Sequence, residues 1–145
     1  MAAKSAYGAS AREIGELFAD YLEGGPDRPA LALSSNQLAS DARSAIDKSL
    51  VAFGYAPDSC SHVTCAMLDP QAVFLLIEGL DPLYVIATDR ETAALLAKAY
   101  RTDYQPDSPI RVAGRSGVAF TDLHALMSTP ESKQKAWKLL KSLPR

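Results

Sequence analysis

The chain has 145 residues and a mass of 15.5 kDa, with 48% hydrophobic and 22% charged residues. This length is typical of one domain, and the composition excludes disordered, collagen-like and disulfide-dense proteins. The net charge is only −2, yet residues 1–89 carry 5 Lys and Arg against 12 Asp and Glu, and residues 90–145 carry 10 against 5. Such asymmetry indicates either two solvated faces that attract each other or an anionic partner for the basic C-terminal half.

Two helices are predicted in the N-terminal third. From Ser10, apolar residues recur at the spacing of one helix face, up to the stretch 24–33, which begins with Gly-Gly-Pro. That stretch is rich in Gly and Pro and is predicted to be a connection. A second helix follows, capped by Ser35 or Asn36 and ended by Gly54.

Two strands are predicted in the central region. Residues 62–68 are β-branched and apolar, and residues 83–87 are nearly all apolar, as expected for a strand buried on both faces. We expect these strands, which contain Val63 and Val85, to be parallel neighbours.

The segment between them has two interpretations. Asp69 followed by Pro70 is a typical helix start and Gly79 can end a helix, which together predict a helix over 70–79. Residues 73–77 are also a continuous apolar run, so a strand is the alternative.

The remaining elements follow in close succession. Thr88 and Glu91 have the spacing of a capping box at the start of another helix, and Thr129 precedes a proline that begins the last one. Between them are predicted a loop at 102–109, strands at 110–113 and 118–120 joined by a turn at 114–117, and helices at 121–127 and 130–143.

This element order predicts the fold class. Alternating strands and helices are typical of a parallel sheet with right-handed crossovers. We predict one α/β domain over 1–145, a small three-layer structure with a short, mostly parallel sheet and helices on both faces. If residues 73–77 form a strand, the sheet becomes largely antiparallel and the class becomes α+β.

The cellular setting is predicted from what the chain lacks. The first 12 residues are small and polar, unlike a secretory signal, and no apolar run reaches the ~18 residues of a membrane span. We expect a soluble, cytoplasmic protein without membrane association, and poor order in residues 1–9.

One segment is similar to a known family. The Leu-Asp-Pro at 80–82, the strand at 83–87 and the small-residue helix at 92–99 resemble the central unit of the uracil-DNA glycosylase-like superfamily, over residues 60–113. That superfamily includes non-catalytic replication accessory subunits. Its His-Pro-Ser motif and its glycine-rich, water-activating loop are absent from this sequence. The resemblance implies a nucleic-acid-related, non-catalytic role.

Three metal-ligand residue types, Cys60, His62 and Cys65, occur close together, and Asp58 or His124 could add a fourth ligand. In an extended segment, however, Cys60 and His62 share one face and Cys65 points to the other. We therefore predict buried free cysteines and no metal site.

Two groups of residues are candidate anion sites. Thr88, Asp89 and Arg90 follow the central strand, where open α/β sheets usually bind ligands, although the same residues are explained by helix capping. Arg111 and Arg115 flank a glycine-containing turn, which is either an anion-binding concavity or a solvated hairpin tip.

The last helix is a candidate nucleic-acid surface. Lys138 and Lys141 are predicted opposite Trp137 and Leu140, so that part of the basic charge faces solvent. Nucleic-acid surfaces commonly expose aromatic rings among the cations, whereas Trp137 is interpreted as a core residue.

No motif of nucleophilic, metal-dependent or carboxylate catalysis is present, and no cofactor is expected. We predict a non-enzymatic binding or accessory module whose partner is another protein. The first alternative is binding of nucleic acid or a phosphorylated ligand by the basic C-terminal half. The second is a small enzyme with its site near residues 88–90.

Overall fold

Six strands form one mixed sheet in the computed structural model, which describes residues 10–144. Their order across the sheet is β1-β3-β2-β4-β6-β5; β2, β3, β4 and β6 are parallel, whereas β1 and β5 are antiparallel to their neighbours. The strands are β1 Leu22–Glu23, β2 Ala30–Ser34, β3 Cys60–Thr64, β4 Tyr84–Ala87, β5 Ser108–Val112 and β6 Arg115–Ala119. The predicted α/β class is confirmed, with a sheet that is partly antiparallel.

Helices cover both faces of this sheet. Helices α1, α3 and α4 pack on one face, hereafter the α3 face, while α2, α5 and a short 3-10 helix pack on the other, the α2 face. The helices are α1 Ala11–Leu17, α2 Ser40–Ala52, α3 Pro70–Leu80, α4 Arg90–Tyr100, the 3-10 helix Ala125–Ser128 and α5 Pro130–Lys141. Each face of the sheet therefore has its own hydrophobic core.

The segment with two interpretations is a helix. An oxygen of the Asp69 carboxylate accepts from the backbone N–H of Ala72 at 2.8 Å, and Pro70 occupies the first helical position. The helix ends at Leu80 rather than at Gly79, and the next residue, Asp81, stops it with a left-handed φ of 50°. Gly79 has a packing role instead, because a Cβ there would stand 2.4 Å from Cγ1 of Ile14.

The largest difference between the predicted and the observed fold is strand β2. The stretch 24–33, predicted to be a connection, contains most of the central strand of the sheet, and all five β2 residues are buried. Leu31 and Leu33 pack on the α3 face, whereas the small Ala30 and Ala32 lie beneath α2.

The position of β2 also corrects the predicted pairing. Strand β2 pairs in parallel with both β3 and β4. The strands of Val63 and Val85 are therefore parallel, but they are not neighbours.

Several N-terminal boundaries also differ from the prediction. Helix α1 ends at Leu17, and Leu22–Glu23 forms a short edge strand before the glycines. Helix α2 is preceded by Ala39 as its cap residue, with no side-chain cap, and not by Ser35 or Asn36. Strand β3 is Cys60–Thr64 instead of 62–68.

The C-terminal half shows similar shifts. Asp89, with Thr92, forms the capping box of α4, whereas Thr88 and Glu91 were predicted. The hairpin turn is not 114–117 but two residues, Ala113 and Gly114, whose positive φ values of 51° and 88° match a type I′ turn.

In the last segment a 3-10 turn at 125–128 replaces the predicted helix at 121–127, whereas Thr129 caps the last helix as predicted. The prediction of poor order for residues 1–9 concerns residues outside the described part of the chain. Among residues 10–144, no helix combines the length and apolar character needed to cross a membrane.

Candidate functional site

The centre of the sheet contains a topological switch point. Strands β2 and β4 lie side by side, and the helices that follow them, α2 and α4, cover opposite faces. Ligands of open α/β sheets usually bind where neighbouring strands diverge in this way. The predicted site at Thr88, Asp89 and Arg90 lies at this point, beside Ser34 and Ser35 at the end of β2.

The hydroxyl groups at the switch point form a closed chain. The Ser34 hydroxyl donates to Oγ1 of Thr88 at 2.7 Å, and the Thr88 hydroxyl donates to the carbonyl of Leu33 at 3.0 Å. Ser34 is 4% exposed and Thr88 is 1% exposed. These buried groups therefore satisfy one another.

The Asp89 carboxylate is likewise engaged in hydrogen bonds within the protein. Its Oδ2 accepts from the backbone N–H and the hydroxyl of Ser35, at 2.8 and 2.7 Å, and its Oδ1 accepts from the N–H of Thr92 at 2.9 Å. The backbone N–H of Arg90 donates to the carbonyl of Thr121 at 2.9 Å. The Ser34 and Thr88 hydroxyls and the Asp89 carboxylate are therefore engaged in hydrogen bonds within this region, whereas the Arg90 side chain is exposed.

The two cysteines lie on opposite sides of the sheet. Cys60 belongs to the core of the α2 face and Cys65 to that of the α3 face, as the alternation along a strand predicts. Both thiols are free, and burial raises the pKa of each to about 12, so they stay protonated at neutral pH. Among the described residues, no group of three or more potential ligands is arranged to hold a metal ion.

The two predicted arginines have different surroundings. Arg115 is 12% exposed and forms ion pairs with Glu78 and Asp81, each at 2.7 Å, beside the Tyr100 hydroxyl that also donates to Glu78. Its guanidinium joins β6 to the end of α3. Arg111 is exposed and donates to the carbonyl of Gly114 in the hairpin turn at 3.2 Å. Arg111 therefore stabilises the turn of the β5–β6 hairpin, and Arg115 fixes the hairpin to the end of α3.

A second concave surface lies between α2 and α5. Lys133, Trp137 and Lys141 follow one another at every fourth position along α5, so they share one stripe of the helix. The Lys141 ammonium lies 5.0 Å from the centroid of the Trp137 ring. This α2–α5 groove has a volume of about 280 Å³ and is lined by Asp41, Ser44, Ala45, Lys48, Met127, Lys133 and Trp137.

These contacts correct the prediction for Trp137. It is half-buried and lies outside both core clusters, whereas Leu140 is fully buried. Lys138 is exposed as predicted, but Lys141 covers the Trp137 ring instead of lying opposite to it. The four-residue spacing of Trp137 and Lys141 was the sequence signal for this contact.

The groove combines an apolar floor with uncompensated positive charge. Lys48, Lys133 and Lys141 are exposed and form no ion pair within the described range of the chain. The one carboxylate of the groove, Asp41, contacts Nδ1 of His124 at 3.2 Å. The groove therefore presents two lysines and one carboxylate beside an indole ring, and Lys141 adds a third cation over that ring.

The predicted family resemblance rests on the 80–99 segment, which forms the end of α3, β4 and most of α4. Strand β4 follows α3 directly and lies between the parallel strands β2 and β6. The relation to uracil-DNA glycosylase-like proteins stays a prediction. In comparisons with known proteins, no family model and no curated protein matches this chain.

Proposed function

We propose that the protein is a non-enzymatic cytoplasmic binding module that holds an acidic segment of a partner protein in the α2–α5 groove. The observation that carries this proposal is the half-buried Trp137 among lysines without ion pairs. Tryptophan is enriched among the residues that dominate binding energy in protein interfaces. Two free thiols are compatible with the reducing cytoplasm.

The shape of the groove favours one kind of segment. Ala45, Met127 and Trp137 offer an apolar surface, and Lys48 and Lys133 stand at its rim. Protein interfaces commonly have this arrangement of an apolar centre and a polar border. A fitting segment has one large apolar side chain for the groove and Asp or Glu residues on either side of it.

Nucleic acid is the second candidate, because cations around an aromatic ring also suit a single strand. Two features favour protein. Asp41 lies in the groove and would repel a continuous phosphate backbone, whereas the charges of a peptide can be spaced to avoid it. The net charge of −2 and the pI of about 5.6 also lack the strong basicity of most nucleic-acid-binding domains.

The hydrogen bonds at the switch point support a non-enzymatic role. Ser34, Thr88 and Asp89 occupy the position where an α/β enzyme commonly places its reacting groups, but Ser34 bonds to Thr88 and the Asp89 carboxylate accepts from Ser35 and Thr92. Burial also keeps the two thiols protonated and therefore poorly nucleophilic.

The test uses Trp137 as its own reporter, because it is the only tryptophan in the chain. A synthetic peptide with a central leucine flanked by glutamates is titrated while tryptophan fluorescence is recorded. We expect a saturable change that weakens with salt. Lys133→Glu should weaken binding at least about tenfold, since reversing a rim charge adds repulsion. The matched control is Lys98→Glu, an exposed lysine on the opposite face of the sheet.

A single-stranded thymidine oligonucleotide is titrated in parallel. Fluorescence that responds to the oligonucleotide and not to the peptide would replace the protein partner by nucleic acid. A response to neither ligand, or an equal response in Lys133→Glu and wild-type protein, would refute the groove as a binding surface.

A further inference from the structure

A separate cavity of about 540 Å³ lies at the β1–β3 edge of the sheet, beneath α2. Strand β1 has only two residues, so it leaves the first part of β3 without a neighbour on that side. The register places Glu23 directly opposite His62, and both side chains line the cavity. Its volume lies within the range of ~300–1,000 Å³ that is usual for small-molecule sites. We call it the edge pocket.

Two arginines of the edge pocket are held in place by backbone contacts. Arg28 donates from Nη1 to the carbonyl of Cys60 at 3.1 Å, and Arg43 donates from Nε to the carbonyl of Leu38 at 3.1 Å. Arg43 also pairs with Glu23 through Nη1. The other N–H groups of both side chains form no hydrogen bond within residues 10–144.

The backbone at Gly24 lies close to the guanidinium of Arg28. A Cβ at Gly24 would lie 2.8 Å from Nη1 of Arg28, and the φ of Gly24 is +106°, which side chains rarely adopt. The guanidinium therefore lies against a backbone that only glycine provides. A guanidinium fixed on one side, with free N–H groups on the other, is suited to bind a phosphate or carboxylate.

His62 contributes a neutral polar group to the lining of the same pocket. Burial, followed by the positive charge of Arg43, lowers the pKa of His62 to about 4. Its Nδ1 is buried and has no hydrogen-bond partner in the described part of the chain. Unpartnered buried polar atoms are uncommon in native structures, and a bound ligand or water that supplies a partner is one explanation for them.

Besides Glu23, two further carboxylates, Asp47 and Asp58, line the pocket. Asp47 accepts from the backbone N–H of Asp58 at 2.9 Å through Oδ1, and Ser44 stands one turn before it on α2. A bare inorganic anion would gain nothing from these groups, but the hydroxyl groups of a larger ligand can donate to them.

We infer that the edge pocket binds a small hydroxylated molecule that carries a phosphate or carboxylate group. The oxyanion contacts Arg28 and Arg43, and the hydroxyl groups point towards Asp47. The pocket and the α2–α5 groove are lined by neighbouring stripes of α2 and share only Ser44 among their lining residues, so this inference does not depend on the proposed function.

The inference is tested by NMR titration of 15N-labelled protein with inorganic phosphate, glycerol 3-phosphate and glycerate. The readouts are the amide signal of Gly24 and the imidazole nitrogens of His62. We expect saturable shifts, with glycerol 3-phosphate or glycerate binding more tightly than inorganic phosphate. Arg28→Gln should weaken binding at least about tenfold, because charge-assisted hydrogen bonds are lost. Arg12→Gln, on the exposed surface of α1, should bind like wild type.

Arg28→Lys covers the case in which the glutamine variant does not fold. It retains the charge but lacks the guanidinium fork, so weaker binding is again expected. Shifts that never saturate, or that are equal in the wild-type and Arg28 variants, would overturn the inference. Preference between glycerol 3-phosphate and glycerate decides whether the oxyanion is phosphate or carboxylate. Binding in the edge pocket should leave the fluorescence of Trp137 unchanged, because Trp137 lies in the α2–α5 groove.

Discussion

The hydroxyl chain at the switch point predicts a measurable coupling between two strands. Thr88→Val replaces one hydroxyl by a methyl of similar shape, so the Ser34 hydroxyl loses its acceptor while only 4% of the residue is exposed. Leaving a buried polar group without a partner costs about 1–3 kcal/mol. The carbonyl of Leu33 loses less, because it still accepts from the backbone N–H of Thr88 at 2.9 Å.

Removing the other hydroxyl, that of Ser34, has a smaller predicted effect. In Ser34→Ala, the Thr88 hydroxyl still donates to Leu33, so the free energy of unfolding should fall by at most about 1 kcal/mol. The double variant removes both hydroxyls and leaves neither unpartnered. It should therefore be destabilised by less than the sum of the two single changes, with a coupling of about 1 kcal/mol or more.

Urea denaturation of the wild type, both single variants and the double variant measures this coupling. Equal m-values across the four proteins are the control that the same transition is compared. Effects that add within about 0.5 kcal/mol would show that Ser34 and Thr88 do not interact, and the explanation of the closed switch point would be wrong.

Two further predictions concern packing and pH. Gly117→Ala places a Cβ 2.4 Å from the carbonyl oxygen of Val85, so β4 and β6 must separate, and thermal unfolding should show a loss of about 1–3 kcal/mol; a melting temperature equal to that of wild type would contradict this strand spacing. Because the pKa of His62 is lowered to about 4, its neutral form stabilises the fold above pH ~6.5, and about 3 kcal/mol should be lost as pH falls from there to 4. The free energy of unfolding of His62→Gln should lack this part of the pH dependence. The control His124→Gln, at an exposed histidine, should retain it. Identical pH profiles of stability for wild type and His62→Gln would refute the burial of His62.

The accuracy of the fold prediction depended on whether local chemistry defined an element. Helix α3 was predicted because Asp69 and Pro70 specify a helix start within four residues. Strand β2 was missed because its two leucines alternate with alanines and follow a segment rich in Gly and Pro. It is a strand because β3 and β4 pair with it on both sides, and no local pattern contains that information.

The candidate sites also differ in whether local sequence or tertiary packing defines them. The stripe of Lys133, Trp137 and Lys141 can be read from four-residue spacing, but the partial exposure of the indole depends on how α5 packs beside α2. The edge pocket could not be predicted, because Arg28 and His62 are brought together only by the pairing of strands around the missed β2. The predicted site at 88–90 lies at the switch point of the sheet, but Thr88 bonds to Ser34 at the end of that same strand and Asp89 bonds to Ser35 just after it.

The two candidate surfaces share one structural element, and this determines how they must be tested. Ser44 of α2 lines both the edge pocket and the α2–α5 groove, and Arg43 and Ala45 on either side of it each line one of them. A substitution in α2 that shifts this helix would therefore alter both surfaces, and loss of binding could not be assigned to either. Arg28 precedes β2 and Lys133 lies on α5, so each variant changes one surface while α2 is left intact. Loss of peptide binding in Lys133→Glu with normal oxyanion binding, and the converse in Arg28→Gln, would establish two independent sites.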